Sequence, residues 1–274
     1  MAVTMAEISK LRHMTGAGLM DCKKALAEAN NDMDAAIEII RKKGQAVAAK
    51  REDRTASEGC TLSESNGKFA AVVALKCETD FVAKNEGFVD LTKKILKAAL
   101  DAQAKSLAEV SELAIDGVKV SELIVEEIGK TGEKMELGAY EYVEAPSTVA
   151  YNHFGNKLAA IVGFNQEGVD AQVAKEVAMQ VAAMNPVAVN RDAVPQSVKD
   201  EELRIGREKA LEEGKPEAIL DRIAQGRLPK FFKESVLMEQ EFVSDSSMDI
   251  ATYLSKNSKG LEAIDFKRVN LNED

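Results

Sequence analysis

Lys68-Phe69-Ala70-Ala71-Val72-Val73-Ala74-Leu75 returns 89 positions later as Lys157-Leu158-Ala159-Ala160-Ile161-Val162-Gly163-Phe164. A turn signal precedes each copy, Asn66-Gly67 in one and Gly155-Asn156 in the other. Upstream of each turn lie residues able to form the first arm of a hairpin. Apolar residues at helical spacing follow each copy. Residues 88–102 place Phe88, Leu91, Ile95 and Ala98 on one stripe, and residues 169–184 do the same with Val173, Val177, Val181 and Met184. A hairpin-plus-helix unit that occurs twice predicts two related α+β subdomains, with helices on one face of antiparallel sheets.

The copies differ between strand and helix. Val89-Asp90 and Val169-Asp170 stand 80 apart while the strands stand 89 apart, so the first copy carries about nine extra residues. These fall within Glu78-Thr79-Asp80-Phe81-Val82-Ala83-Lys84-Asn85-Glu86. A loop that the shared fold does not require is where function concentrates. The residues alone leave two readings. Either the loop presents Phe81 as a contact, or Phe81 and Val82 tuck into the core while Asp80 caps a turn.

Working outward, residues 1–54 read as three short helices. Ile8, Leu11 and Met14 form the first stripe, ended by Thr15-Gly16-Ala17-Gly18. Leu19, Cys22, Leu26 and Ala29 form the second. Asp32 is placed to cap a third helix bearing Met33, Ala36, Ile37 and Ile40, with Gly44 as its stop. Such a unit resembles the ubiquitin-associated three-helix fold. Met20 lies off the second stripe beside Lys23 and Lys24, either as an exposed docking residue or as packing under the first helix. Residues 41–54 hold six basic and two acidic side chains without an aromatic, and read as a solvated helix end and linker rather than a nucleic-acid patch.

Between the copies, residues 106–132 suggest two helices around Asp116-Gly117, with Ser121 as an N-cap, and residues 135–143 suggest a strand. Beyond Pro186, Val198, Leu203, Ala210 and Leu211 stripe a charged helix ended by Gly214. Pro216 opens another with Ile219, Leu220 and Ile223, ended by Gly226. These form a projecting helical hairpin over about 190–228. Ser246 or Ser247 is placed to cap a helix over 248–256, and Ile264, Phe266 and Val269 suggest a closing strand. The expected division is a three-helix module and linker at 1–54, a first core subdomain at 55–145 and a second at 146–274.

Composition narrows the function. The 274 residues carry a net charge of −10, with +2 over residues 1–54 and −12 over the rest. That balance argues against a general nucleic-acid binder, since phosphate neutralisation needs a basic field. Cys22, Cys60 and Cys77 stand far apart and form no C-x-x-C pair, so neither a disulfide framework nor a zinc site is expected. No secretory signal and no apolar run long enough for a bilayer is visible, so the expected location is cytoplasmic. Gly129-Lys130-Thr131 imitates the end of a phosphate loop, but Ile124 stands where the earlier glycine is required. Gly16-Ala17-Gly18 lacks a third glycine, because position 21 is Asp21. Neither histidine, His13 or His153, belongs to a recognisable nucleophile or acid–base arrangement. No catalytic residue, metal or cofactor is expected.

Two runs are distinctive. Leu11-Arg12 with Thr15-Gly16-Ala17-Gly18-Leu19-Met20-Asp21-Cys22-Lys23-Lys24-Ala25-Leu26, and Thr79-Asp80-Phe81-Val82-Ala83-Lys84, resemble the two signatures of the bacterial translation elongation factor Ts family. The similarity continues through Tyr151-Asn152-His153, Ala178-Met179-Gln180-Val181-Ala182-Ala183 and Glu241-Phe242-Val243. The chain departs from the family at Gln180, where His is common. The resemblance implies a guanine nucleotide exchange factor for elongation factor Tu, acting by binding and without covalent catalysis. It implies that the three-helix module docks on the GTPase through Leu19 and Met20. It further implies that Asp80 and Phe81 wedge between GTPase helices, with Thr79 and Val82 shaping the loop, so that the magnesium and phosphate site is disturbed. His153 would belong to the core's contact. The partner implied is elongation factor Tu, with no direct nucleic acid and no membrane; the core and the helical arm are candidate surfaces for dimerisation.

Overall fold

Thr4 and Glu7 form a capping box that starts the first helix, each side chain bonding the other residue's backbone N–H. The computed structural model describes residues 3–273. Its helical N-terminus comprises α1 (Met5–Thr15), α2 (Leu19–Glu28) and α3 (Met33–Lys50). Asp32 caps α3 as expected, accepting from Ala35 N at 2.9 Å. Ile8, Leu11, Ala17, Cys22, Ala25, Leu26 and Ala36 make a small core. Met14 and Leu19 lie outside it, exposed, because α1 and α2 bury narrower stripes than their apolar spacing suggests.

The first copy of the repeat gives β1 (Glu58–Ser65), β2 (Phe69–Cys77), the short α4 (Asp80–Ala83) and α5 (Glu86–Ala102). Then come α6 (Leu107–Glu112), β3 (Ala114–Ile115), β4 (Val118–Lys119), α7 (Val120–Thr131) and β5 (Met135–Glu144). The second copy gives β6 (Ser147–Asn152), β7 (Leu158–Phe164) and α8 (Ala171–Met184). Two long helices, α9 (Gln196–Glu212) and α10 (Leu220–Ser235), form the arm. The chain closes with β8 (Glu241–Phe242), β9 (Asp245–Asp249), α11 (Ile250–Asn257) and β10 (Ala263–Asn270).

The architecture is α+β, with two antiparallel three-stranded sheets in the orders β1-β2-β5 and β10-β7-β6. On β2, Phe69, Ala71, Val73 and Leu75 face a core that includes Phe88, Ile95 and Ala99 of α5. Ala70 and Val72 face the opposite way and meet Ala159 and Ile161 of β7. On β7 the other set, Ala160, Val162 and Phe164, packs with Val173, Val177 and Val181 of α8. Each sheet thus has a helix on one face and the other sheet behind it. Burial on both faces explains why the repeat reads as a continuous apolar run and not as an alternation. The layer between the sheets is thin: a Cβ on Gly163 would come within 2.6 Å of Val143 Cγ1 and 2.7 Å of Ala145 Cβ.

Several element ends differ from expectation, each for a local reason. Gly44 does not stop α3. It sits where α3 crosses α7, and a Cβ on the facing Gly129 would lie 2.8 Å from Gly44 Cα. The glycines serve a close helix crossing, and the supposed phosphate-loop glycine is one of them. Residues 41–54 are mostly exposed, as expected of a solvated helix end and linker, with Arg41 paired to Glu126 and Arg51 to Glu78. Lys119, not Ser121, occupies the N-cap of α7, following a tight β3–β4 turn through Asp116 (φ 53°) and Gly117 (φ 83°). Met184 lies exposed at the end of α8. In the arm, α10 continues through Gly226 and Pro229 to Ser235, so the hairpin outlasts residue 228. Its root is held by Phe232 and Val236 against Ala188 and Val194. The last helix is capped by Asp249, which accepts from Thr252 N at 2.8 Å, because residues 245–249 form β9 first.

Candidate functional site

The residues that distinguish the first half fold into α4. Thr79 is its N-cap, and its hydroxyl oxygen accepts from Val82 N. Glu133, just after α7, grips Thr79 twice: it accepts from the Thr79 backbone N–H at 3.0 Å and from the hydroxyl at 2.6 Å. Glu78 accepts from Arg51 at 3.2 Å and from Lys134 N at 2.7 Å. The root of the loop is therefore tied both to the end of the three-helix bundle and to the start of β5. Val82 and Ala83 pack against the first core. A helix turns about 100° per residue, so anchoring those two side chains leaves their neighbour facing outward. Phe81 is 84% exposed. Of the two readings left open by the sequence, Phe81 takes the exposed one, Val82 the packed one, and the cap is Thr79 rather than Asp80.

Asp80 lies beside Lys84, which donates to its carboxylate at 2.6 Å. That hydrogen bond, the Lys84 charge and, more weakly, the Lys157 charge hold the Asp80 carboxyl below its ordinary range. Lys157 belongs to the second half. Its ammonium lies 2.8 Å from Glu58 of β1, and Thr61 N of β1 donates to Asn156 O at 2.7 Å. The β6–β7 turn is therefore fastened along β1, on which α4 also rests. His153 starts that turn; its Nδ1 lies 3.0 Å from Tyr151 Oη, and its side chain is exposed. Phe154 follows at the apex and is 97% exposed. Glu58, Glu133, Phe154 and Lys157 were not singled out from the sequence. Only Phe154 carried a signal, an aromatic beside the Gly155-Asn156 turn.

Leu19 and Met20 begin α2, 40% and 58% exposed. The turn before them approaches the end of α7: a Cβ on Gly16 would lie 3.0 Å from Lys130 Cε. Lys130 is three residues from Glu133, a span of at most about 11 Å. The end of α7 thus stands between the α2 start and the root of α4. Gln180 is elsewhere and fully buried. Its side chain donates to Gln240 and to Glu241 O and accepts from Val243 N at 2.9 Å, joining α8 to β8 and the turn after it.

Burial pushes the Cys60 thiol to about 11 and the Cys77 thiol to about 12. Among the described residues no group of three His, Cys, Asp or Glu side chains is arranged to hold a metal ion, and no helix is long and apolar enough to cross a membrane. What the arrangement offers is a rigid edge bearing exposed apolar side chains, suited to binding another macromolecule.

Comparison with known proteins gives this edge a context. The family model described as Elongation factor TS matches residues 78–273, beginning one residue before Thr79. An elongation factor Ts of Porphyromonas gingivalis is 57% identical over the full length of both chains. That of Azobacteroides pseudotrichonymphae is 55% identical over 99% of each. That of Christiangramia forsetii is 45% identical over 98% of each. With the sandwich, the inserted α4 and this full-length similarity together, the chain belongs to the elongation factor Ts family.

Proposed function

We propose that this protein is a guanine nucleotide exchange factor for elongation factor Tu in translation elongation. It binds the GDP-bound GTPase and promotes GDP release, after which GTP rebinds. The division of labour follows the chain. Residues 1–54 dock through Leu19 and Met20; residues 55–145 supply the exchange loop; residues 146–274 add the contact at His153 and the arm. Asp80 and Phe81 wedge between GTPase helices, while Thr79 and Val82 hold the wedge in shape. In phosphate-loop GTPases a magnesium ion bridges the loop hydroxyl and the phosphate oxygens. Displacing its support removes much of the nucleotide's binding energy without breaking a covalent bond. Coupling of this kind is reciprocal: a factor that lowers GDP affinity is itself displaced by GDP to the same degree. The protein therefore needs no nucleotide pocket, cofactor or catalytic side chain of its own, and works in the cytoplasm without nucleic acid or membrane.

The observation that carries this reading is Phe81, 84% exposed on a loop whose root is clamped by Glu133 and Arg51. A large apolar side chain held out rigidly spends little entropy on binding. The test is release of a fluorescent GDP analogue from elongation factor Tu with this protein in catalytic amount. Fast release, slowed about tenfold or more by Phe81→Ala, is the expected result. No acceleration by folded wild-type protein on active GTPase overturns the reading.

A further inference from the structure

Phe154 is the most exposed large apolar side chain described, and Phe81 is second. A single exposed apolar residue requires no explanation. These two, however, occupy neighbouring loops that the structure ties together. Asn156 O accepts from Thr61 N, Lys157 meets Glu58, and the Lys157 charge reaches Asp80 while the Glu58 charge reaches Lys84. The turn itself is firm. His153 N donates to Leu158 O at 2.9 Å, Asn156 N donates to His153 O at 3.2 Å, and Gly155 (φ 88°) and Asn156 (φ 55°) both take left-handed backbone. Phe154 thus occupies the second position of a β-turn whose third is a left-handed glycine, and its side chain is 97% exposed. Neither the turn nor the sheet below has any use for an aromatic there. The equivalent turn of the first half, Asn66-Gly67-Lys68, forms a hairpin without one.

We infer that Phe154 is a second aromatic anchor for the same GTPase that Phe81 engages, seated in an apolar pocket beside the wedge. The occupant follows from continuity, since a partner large enough to cover Phe81 extends over the adjoining β6–β7 turn. Charge gives the same direction. Asp80 with Lys84 and Glu58 with Lys157 are neutralised in pairs along this edge, so apolar contact is what it has left to offer. A phenyl ring buries roughly 150–250 Å² when covered, enough for a binding hot spot. The two aromatics divide the work: Phe81 sits on the inserted loop and acts on the nucleotide site, whereas Phe154 holds the complex together. This inference rests on the exchange-factor reading.

The experiment uses the full-length chain and purified elongation factor Tu loaded with the fluorescent GDP analogue, titrating wild type, Phe81→Ala, Phe154→Ala and Phe154→Leu. Phe154→Ala is expected to raise the concentration for half-maximal acceleration about tenfold while leaving the maximal release rate close to wild type. Phe81→Ala lowers the maximal rate instead. Phe154→Leu recovers most of the lost affinity. Melting temperatures stay unchanged, because the ring touches nothing that folding uses. An unchanged half-maximal concentration for Phe154→Ala, with Phe81→Ala impaired, overturns the anchor and leaves the exchange reading standing. No acceleration by wild type brings down both. A Phe154→Ala effect confined to self-association of the chain in sedimentation makes this edge a dimer surface and also overturns the anchor.

Discussion

The two halves of the core are built on one plan and finished differently. In both, a hairpin carries an apolar strand with a helix on one face and the other half's sheet on the opposite face. The shared residues, from Phe69 to Leu75 and from Leu158 to Phe164, are spent almost wholly on that sandwich. The second half also adds the α9–α10 arm, but two of the departures from the shared plan meet at one edge. There the first half adds α4 with Phe81, and the second half sharpens its turn with Phe154. Repetition identifies what the fold needs, so departure from it identifies what the fold can spare. That is a physical criterion, and it can be broken by experiment.

The largest effect should come from two phenylalanines seven positions apart. Phe88 is fully buried in α5, and Phe88→Ala should cost about 3–5 kcal/mol in denaturant unfolding. Phe81→Ala should stay within about 0.5 kcal/mol of wild type. A large loss from Phe81→Ala would mean that α4 belongs to the core after all. Next comes the sandwich layer, where Ala74 and Gly163 are equivalent in the repeat. Gly163→Val would place its side chain against Val143 and Ala145 and should cost about 2–3 kcal/mol through overpacking. Ala74→Gly should cost only about 0.5–1 kcal/mol, mainly backbone entropy. Equal costs would show that the halves are not packed as differently as Gly163 indicates.

Legibility in the sequence divides along the same line. The repeat disclosed both hairpins and both helices, because hydrophobic spacing is local and the two copies corroborate one another. It did not disclose that the sheets stack back to back, since a strand buried on both faces leaves no polar alternation to mark its second contact. Gly44 read as a helix stop because its partner, Gly129, is 85 residues away, and nothing local reports a crossing. Ser121 yielded its capping place to Lys119 for the opposite reason: a two-residue turn fixed the chain direction just ahead of it. Of the candidate site, the insertion revealed Thr79 to Val82. The clamp on Thr79 comes from Glu133, an ordinary acid in an ordinary loop, and only the fold gives it a task.

The crossing of α3 and α7 extends the comparison to the N-terminal bundle, whose own core is small. Gly129→Val forces the helices apart and should cost about 1–2 kcal/mol, less than Gly163→Val because Gly129 is half-buried whereas Gly163 is buried. Proteolysis should then cut residues 51–54 faster than in wild type. Unchanged cleavage would mean that the Arg41–Glu126 and Arg51–Glu78 pairs hold the bundle without the crossing.

The smallest effect concerns the thiols of the core, and with Cys22 of the N-terminal bundle replaced by Ala it reads the first half alone, because residues 78–274 contain no cysteine. Cys60 and Cys77 are buried, and loss of water contact raises their thiols from 9.0 to about 11 and about 12. A raised folded-state value means that the unfolded chain gives up the proton first. The stability contribution is therefore complete below pH 9 and is lost as pH rises toward 11 and 12. Unfolding free energy should fall over that window, and Cys60→Ala with Cys77→Ala should flatten the fall. Near pH 8 both thiols stay protonated and covered, so a thiol reagent should label them only through opening of the fold. Cys77 is the sharper probe. Its Sγ donates to Thr79 O at 3.2 Å, at the root of α4. Labelling of Cys77 much faster than Cys60 would show that the loop root opens by itself, and that Phe81 is presented by a hinged loop rather than a clamped one.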